Sequence, residues 1–150
     1  MDAEPLLLPG GAVWMPIALG ELGTREIHGK DHEARVLEYH ATTTLRATTD
    51  EVPWCSSFVN WVMESSGIPG TRSAAARSWL DWGVKLDSPM LGCVVVLKRG
   101  KNPRSGHVTL YMGGDGDRLE GLGGNQSNQV QISRYKVANV LGYRWPAQAT

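Results

Sequence analysis

The sequence carries no net charge, no long apolar run, no internal repeat and only two cysteines. Lys plus Arg equals Asp plus Glu at 15 each, so overall charge draws the chain neither to nucleic acid nor to an anionic membrane. No stretch approaches the roughly 20 apolar residues that span a bilayer, which predicts a soluble protein. The opening MDAEPLLLPGG lacks a basic n-region, and Leu6, Leu7 and Leu8 are too few for a secretory h-region. The expectation is synthesis in the cytoplasm without a signal peptide. Cys55 and Cys93 stand in sharply different contexts and are read as two thiols rather than a disulfide. With no linker or low-complexity block, the chain is expected to form one domain over residues 1–150, with a core from about 13 to 146, and to be a monomer.

The patterning changes character at Gly83. Before it, Val13, Ile17, Leu19 and Leu22 predict a helix within 12–27 that stops near Gly23, and 31–40 predicts a second short helix. Residues 42–50, TTTLRATTD, read as a loop. Asp50, Glu51 and Pro53 form a helix-start signature, and Phe58, Val59, Val62 and Met63 recur at helical spacing, so Cys55 falls in the first turn of a helix ending near Ser65. A further helix is predicted from about Ser73 to Trp82. After Gly83 come β-branched runs, GCVVVLKR, HVTLYMGG, RLEGLGG, QVQIS and NVLGYRW, with a hairpin turn at Gly113 to Asp117. Helices first and antiparallel strands second is an α+β order. Lys101 to Gly106 reads as a mobile loop ahead of His107.

A thiol at a helix N-terminus faces unpaired backbone amides, which favour the nucleophilic thiolate. Cys55 has that place, whereas Cys93, in an apolar β-branched run, reads as a small buried hydrophobe. Proton removal requires a neutral imidazole within reach, and His107 opens the strand HVTLYM. That imidazole needs an acceptor on its other nitrogen. Counting outward from the hairpin turn, the Gly123 to Gln126 segment returns level with His107, and Asn125 is the residue expected to orient it.

The words PWCSSFVNWVMESSGI, GTRSAAARSWLDWG, SGHVTLYMG and LGGNQSN, in that order and spread from about Glu21 to Trp145, resemble the CHAP and NlpC/P60 group of papain-like cysteine peptidases. Within it they resemble a compact subfamily of phage lysins and bacterial wall-degrading effectors. The resemblance implies N-terminal helices packed on a C-terminal antiparallel sheet, with Cys55 as nucleophile, His107 as base and Asn125 as orienting residue. The backbone amide of Cys55 would then help hold the oxyanion. It also implies cleavage of an amide bond in peptidoglycan stem peptides through a thioester, as amidase or endopeptidase. The site of action would be the periplasm or wall, reached through a holin, a secretion apparatus or lysis. An effector would in addition have a cognate inhibitor protein. Two positions depart from the pattern: Gly123 stands where many CHAP domains have glutamate, and Cys93 lies in a word where many relatives carry an acid.

His28 and His32 have metal-ligand spacing, but Gly29 breaks the helical turn and no CxxC or HExxH accompanies them, so neither a metal nor a cofactor is expected. Glu21 and Glu26 as a glycosidase pair carry little weight beside the usual surface role of carboxylates. As substrate contacts, Trp54 would wall a groove against the stem peptide, or else pack in the core, and Gln126 would touch the substrate or make a turn; Tyr111 and Trp61 are expected to pack in the core. Two alternatives on the same scaffold are a non-catalytic wall-binding module and an acyltransferase that replaces water with an amine.

Overall fold

The structure, a computed structural model, describes residues 11–24, 34–43, 54–126 and 129–147. Among these, three α-helices precede a sheet: α1 (Met15–Gly20), α2 (Ala34–His40) and α3 (Cys55–Ser65). A 3-10 helix, Ala76–Asp81, leads into β1 (Val84–Leu86), β2 (Val94–Lys98), β3 (Gly106–Asp115), β4 (Arg118–Gln126), β5 (Gln129–Lys136) and β6 (Val140–Trp145). The α+β order expected from the sequence is the one observed. So are both ends of α3, whose buried face carries Phe58, Val59, Val62 and Met63.

Three local expectations change. The helix predicted over 12–27 shrinks to the six residues of α1, and the chain turns at Gly23, whose φ of 94° suits glycine. Within the 73–82 stretch expected to be an α-helix, only Ala76–Asp81 is helical, as the tighter 3-10 form. Trp79 within it and Trp82 just past its end meet edge to face at 4.8 Å. The three-residue strand β1 carries too short a pattern to read from sequence and owes its form to pairing with β6. The start signature Asp50, Glu51 and Pro53, the loop from Thr44 to Asp50, and His28, His32 and Glu26 lie outside the described residues. The N-cap of α3 is Trp54, without a side-chain capping bond.

All neighbouring strands are antiparallel, in the order β1-β6-β2-β3-β4-β5. In a flat sheet β5 and β6 would stand about 19 Å apart, at about 4.8 Å per strand. Only Val137–Asn139, a 3-10 turn, joins them. A connection from Lys136 to Val140 reaches at most about 14 Å even when extended, so the sheet must curl upon itself. α3 packs against β3 and β4. The contact is close because β4 is glycine-rich: a Cβ on Gly124 would lie 2.7 Å from Cβ of Phe58 and 2.7 Å from ring carbons of Trp54.

Polar contacts fix the first turn of α3. Ser56 Oγ donates to Ser73 O at 2.6 Å and accepts from Trp79 Nε1 at 2.9 Å. Ser57 Oγ meets Nδ1 of His40 at 2.7 Å, with both residues fully buried. At α1 and α2, Glu21 accepts from Tyr39 OH at 2.7 Å and pairs with Arg35 at 3.1 Å, so it acts as a tie between helices.

Replacing Gly124 with alanine should push the start of α3 off β4 and destabilise the fold by about 1–3 kcal/mol, the usual cost of overpacking. Urea denaturation of the variant measures it, and an unchanged midpoint would mean that the approach of α3 to β4 is not tight.

Candidate active site

Cys55 begins α3 and His107 lies at the start of β3, where Leu97 of β2 is its register partner. Both are nearly buried, at 5% and 3% exposure. The structure brings these two expected residues together. Burial acts to raise the Cys55 thiol, but the neighbouring His107, the Val108 backbone and the charge of Arg99 outweigh it. The net shift is downward from the ordinary thiol value.

The other side of the imidazole is held by Gln126, not by Asn125. Gln126 Nε2 donates to Gly121 O at 3.0 Å and to Gln131 O at 2.6 Å, so both amide hydrogens are spent on carbonyls. Its Oε1 is therefore the atom that faces Thr109 Oγ1 at 2.8 Å and His107 Nε2 at 3.0 Å. Thr109 donates to that oxygen, and so must His107. Nε2 then carries the imidazole hydrogen, and Nδ1 is left with its lone pair. Nδ1 is buried with no hydrogen-bond partner among the described residues, so its lone pair is uncommitted on a ring near enough to Cys55 to lower the thiol. That is the tautomer a general base requires.

The displacement of Asn125 has a local cause. β4 and β5 pair as Gly123↔Gln131 but as Gln126↔Gln129, so one extra residue enters β4 at its end. Asn125 takes up the bulge in the left-handed region with φ of 57°, which asparagine tolerates, and the next residue turns toward His107. Gln126, expected to touch substrate or make a turn, is instead buried with every side-chain hydrogen-bonding group engaged within the protein. Trp54 is likewise corrected: it is fully buried, stacked on Tyr39 at 5.7 Å, and forms core instead of a groove wall. Tyr111 and Trp61 pack against the core as expected.

The sequence reading gave no role to Tyr135. This β5 residue places its hydroxyl 3.1 Å from His107 Nε2 and its ring 5.3 Å from the imidazole. Since the Nε2 hydrogen serves Gln126, the phenol oxygen acts there as a second acceptor. Burial raises its pKa, so it stays protonated. The loop before His107, read as mobile, is tied down by Arg77 Nε donating to Ser105 O at 2.7 Å. Cys93 is fully buried and its thiol is pushed up to about 11 by burial.

No family model matches the sequence, and no curated protein matches it. Solved structures do match in shape. One is a protein of the NLP/P60 family, described as similar to lipoprotein, from Staphylococcus aureus subsp. aureus Mu50. It shares 18% identity and a TM-score of 0.57 over 99% of this chain and 46% of that one. The wild-type endolysin LysIME-EF1 matches at 17% identity and a TM-score of 0.50, over 77% of this chain and 65% of that one. At these identities the likeness concerns the fold, which is α+β and NlpC/P60-CHAP-like.

Native alkylation with iodoacetamide near neutral pH should label Cys55 and spare Cys93, as read by peptide mass mapping. The Cys55 rate should fall with decreasing pH through an inflection below the free-cysteine value of about 8.5, because the thiolate is the reacting form. Gln126→Ala removes the acceptor that supports a charged imidazole and should move that inflection upward. An inflection at the free-thiol value in the unaltered protein would contradict the geometry.

Proposed function

We propose that the chain is a cysteine hydrolase that cleaves an amide bond of peptidoglycan peptides, as amidase or endopeptidase. The observation that carries this reading is the pairing of a helix-start thiol with an imidazole whose tautomer Gln126 dictates. Both structural neighbours point the same way, one titled as NLP/P60 family and the other as an endolysin.

In the proposed reaction His107 Nδ1 takes the proton of Cys55, and the sulfur attacks the amide carbonyl carbon. The oxyanion so formed faces the first backbone amides of α3, where no side-chain cap competes for them. The imidazolium returns its proton to the departing nitrogen, the C–N bond breaks and a thioester remains. Water, losing a proton to Nδ1, attacks the thioester; the C–S bond breaks and the free carboxylic acid leaves. Gln126 keeps the ring in one orientation throughout, by accepting from Nε2 in both protonation states. Tyr135 covers that bond with an apolar ring and a second acceptor oxygen.

Cys55→Ala should abolish release of soluble fragments from purified sacculi while leaving the thermal unfolding midpoint close to that of the parent, since only a sulfur is lost. Sustained release by this variant would exclude the mechanism. Sacculus binding without release by the parent protein would instead identify a wall-binding module, and products carrying an added amine in place of water would identify an acyltransferase.

A further inference from the structure

The chain around His107 carries charge of one sign. From Ser88 to Gly114 there is no Asp or Glu, while Lys98, Arg99, Lys101 and Arg104 supply cations in a protein whose overall charge is zero. All of them are exposed. They are also placed by the fold. Lys98 is the register partner of Gly106, next to His107, and Arg99 follows immediately past the end of β2. The loop that returns to β3 is internally bonded, with Arg104 N donating to Asn102 Oδ1 at 2.9 Å and Ser105 N to Asn102 O at 3.1 Å. Arg77 anchors its end.

None of these cations enters an ion pair among the described residues, where the pairs involve Arg35 and Arg72. Arg99 nevertheless acts at the site: its charge favours the anionic form of both Cys55 and Tyr135. A guanidinium kept at the edge of a nucleophile and not neutralised by the protein is suited to a carboxylate, whose two oxygens match its fork.

We propose that Arg99, backed by Lys98, Lys101 and Arg104, binds a free carboxylate of the substrate beside the scissile amide, so that the site selects acidic peptides over their amidated counterparts. This rests on the hydrolase reading of Cys55, and the test separates the two. The first measurement needs only the thiol: the rate of Cys55 alkylation by iodoacetate, an anion, relative to iodoacetamide, its neutral analogue. In Arg99→Gln the ratio should fall roughly threefold from that of the parent, and the drop should shrink at high salt. Arg99→Lys should retain most of it, and Arg104→Gln, farther along the loop, should change it less. The second measurement compares two short wall peptides that differ only in a free or amidated carboxyl next to the amide to be cut. The parent should cleave the free acid with the lower KM, and Arg99→Gln should raise that KM about tenfold more than the KM of the amidated peptide, since any change in the thiol falls on both peptides alike. An unchanged alkylation ratio in Arg99→Gln overturns the anion site. A shifted ratio with equal cleavage of both peptides overturns carboxylate selection. A shifted ratio with neither peptide cleaved overturns the hydrolase reading and leaves the anion site standing.

Discussion

Four hydrogen bonds meet on the side-chain amide of Gln126, and the chemistry of the site follows from how they divide. Two backbone carbonyls, from β4 and β5, claim the nitrogen. The oxygen is left to accept from a threonine on β3 and from the imidazole. Rotating the amide would set an oxygen against two carbonyls and leave buried donors facing each other, a loss of several hydrogen bonds at once. One side chain therefore joins three strands and decides which imidazole nitrogen carries the hydrogen. The price of that fixity is an interior polar group, tolerated because no lone pair or hydrogen on it is wasted.

The thiol side shows a competition of a different kind. Cys55 is nearly buried, and burial alone opposes a thiolate. The neighbours that reverse the outcome come from outside α3: the imidazole and the backbone of β3, and Arg99 at the end of β2. Their arrangement against the helix depends on packing rather than on a cap. Ser56 and Ser57 tie the first turn to the 73–79 segment and to α2, and the bare backbone at Gly124 lets Trp54 and Phe58 approach β4. Cys93 shows the same chemistry without those neighbours, and its thiol moves the opposite way.

What was legible in the sequence was what depends on local pattern. The apolar spacing of 58–63 defined α3 and put Cys55 at its start, and the β-branched runs located five strands, with His107 at the head of one. Counting from the hairpin turn brought Gly123 to Gln126 level with His107. It failed at the last step because a one-residue bulge, invisible in composition, exchanges which side chain faces inward. β1 is too short to show a period, and 73–82 has helical composition but forms only a 3-10 helix over Ala76–Asp81, with Trp79 and Trp82 in edge-to-face contact at its end. Trp54 and Tyr135 illustrate the same limit: an aromatic residue's depth and partners are tertiary facts. The departure at Gly123 is now understandable, since a Cβ there would come within 2.5 Å of Gln126 Oε1 and displace the amide.

The curled sheet has a consequence for how the protein is made. Cys55 leaves the ribosome well before β2 and β3, whose groups favour its thiolate, and β1 must wait for β6 before it has a partner strand among the described residues. Until then the nascent chain displays an ordinary thiol with an ordinary protonation state. The lowered thiol is thus a property of the folded sheet and not of the α3 segment alone. A truncated or half-folded copy carries the thiol of Cys55 but not the neighbours that lower it.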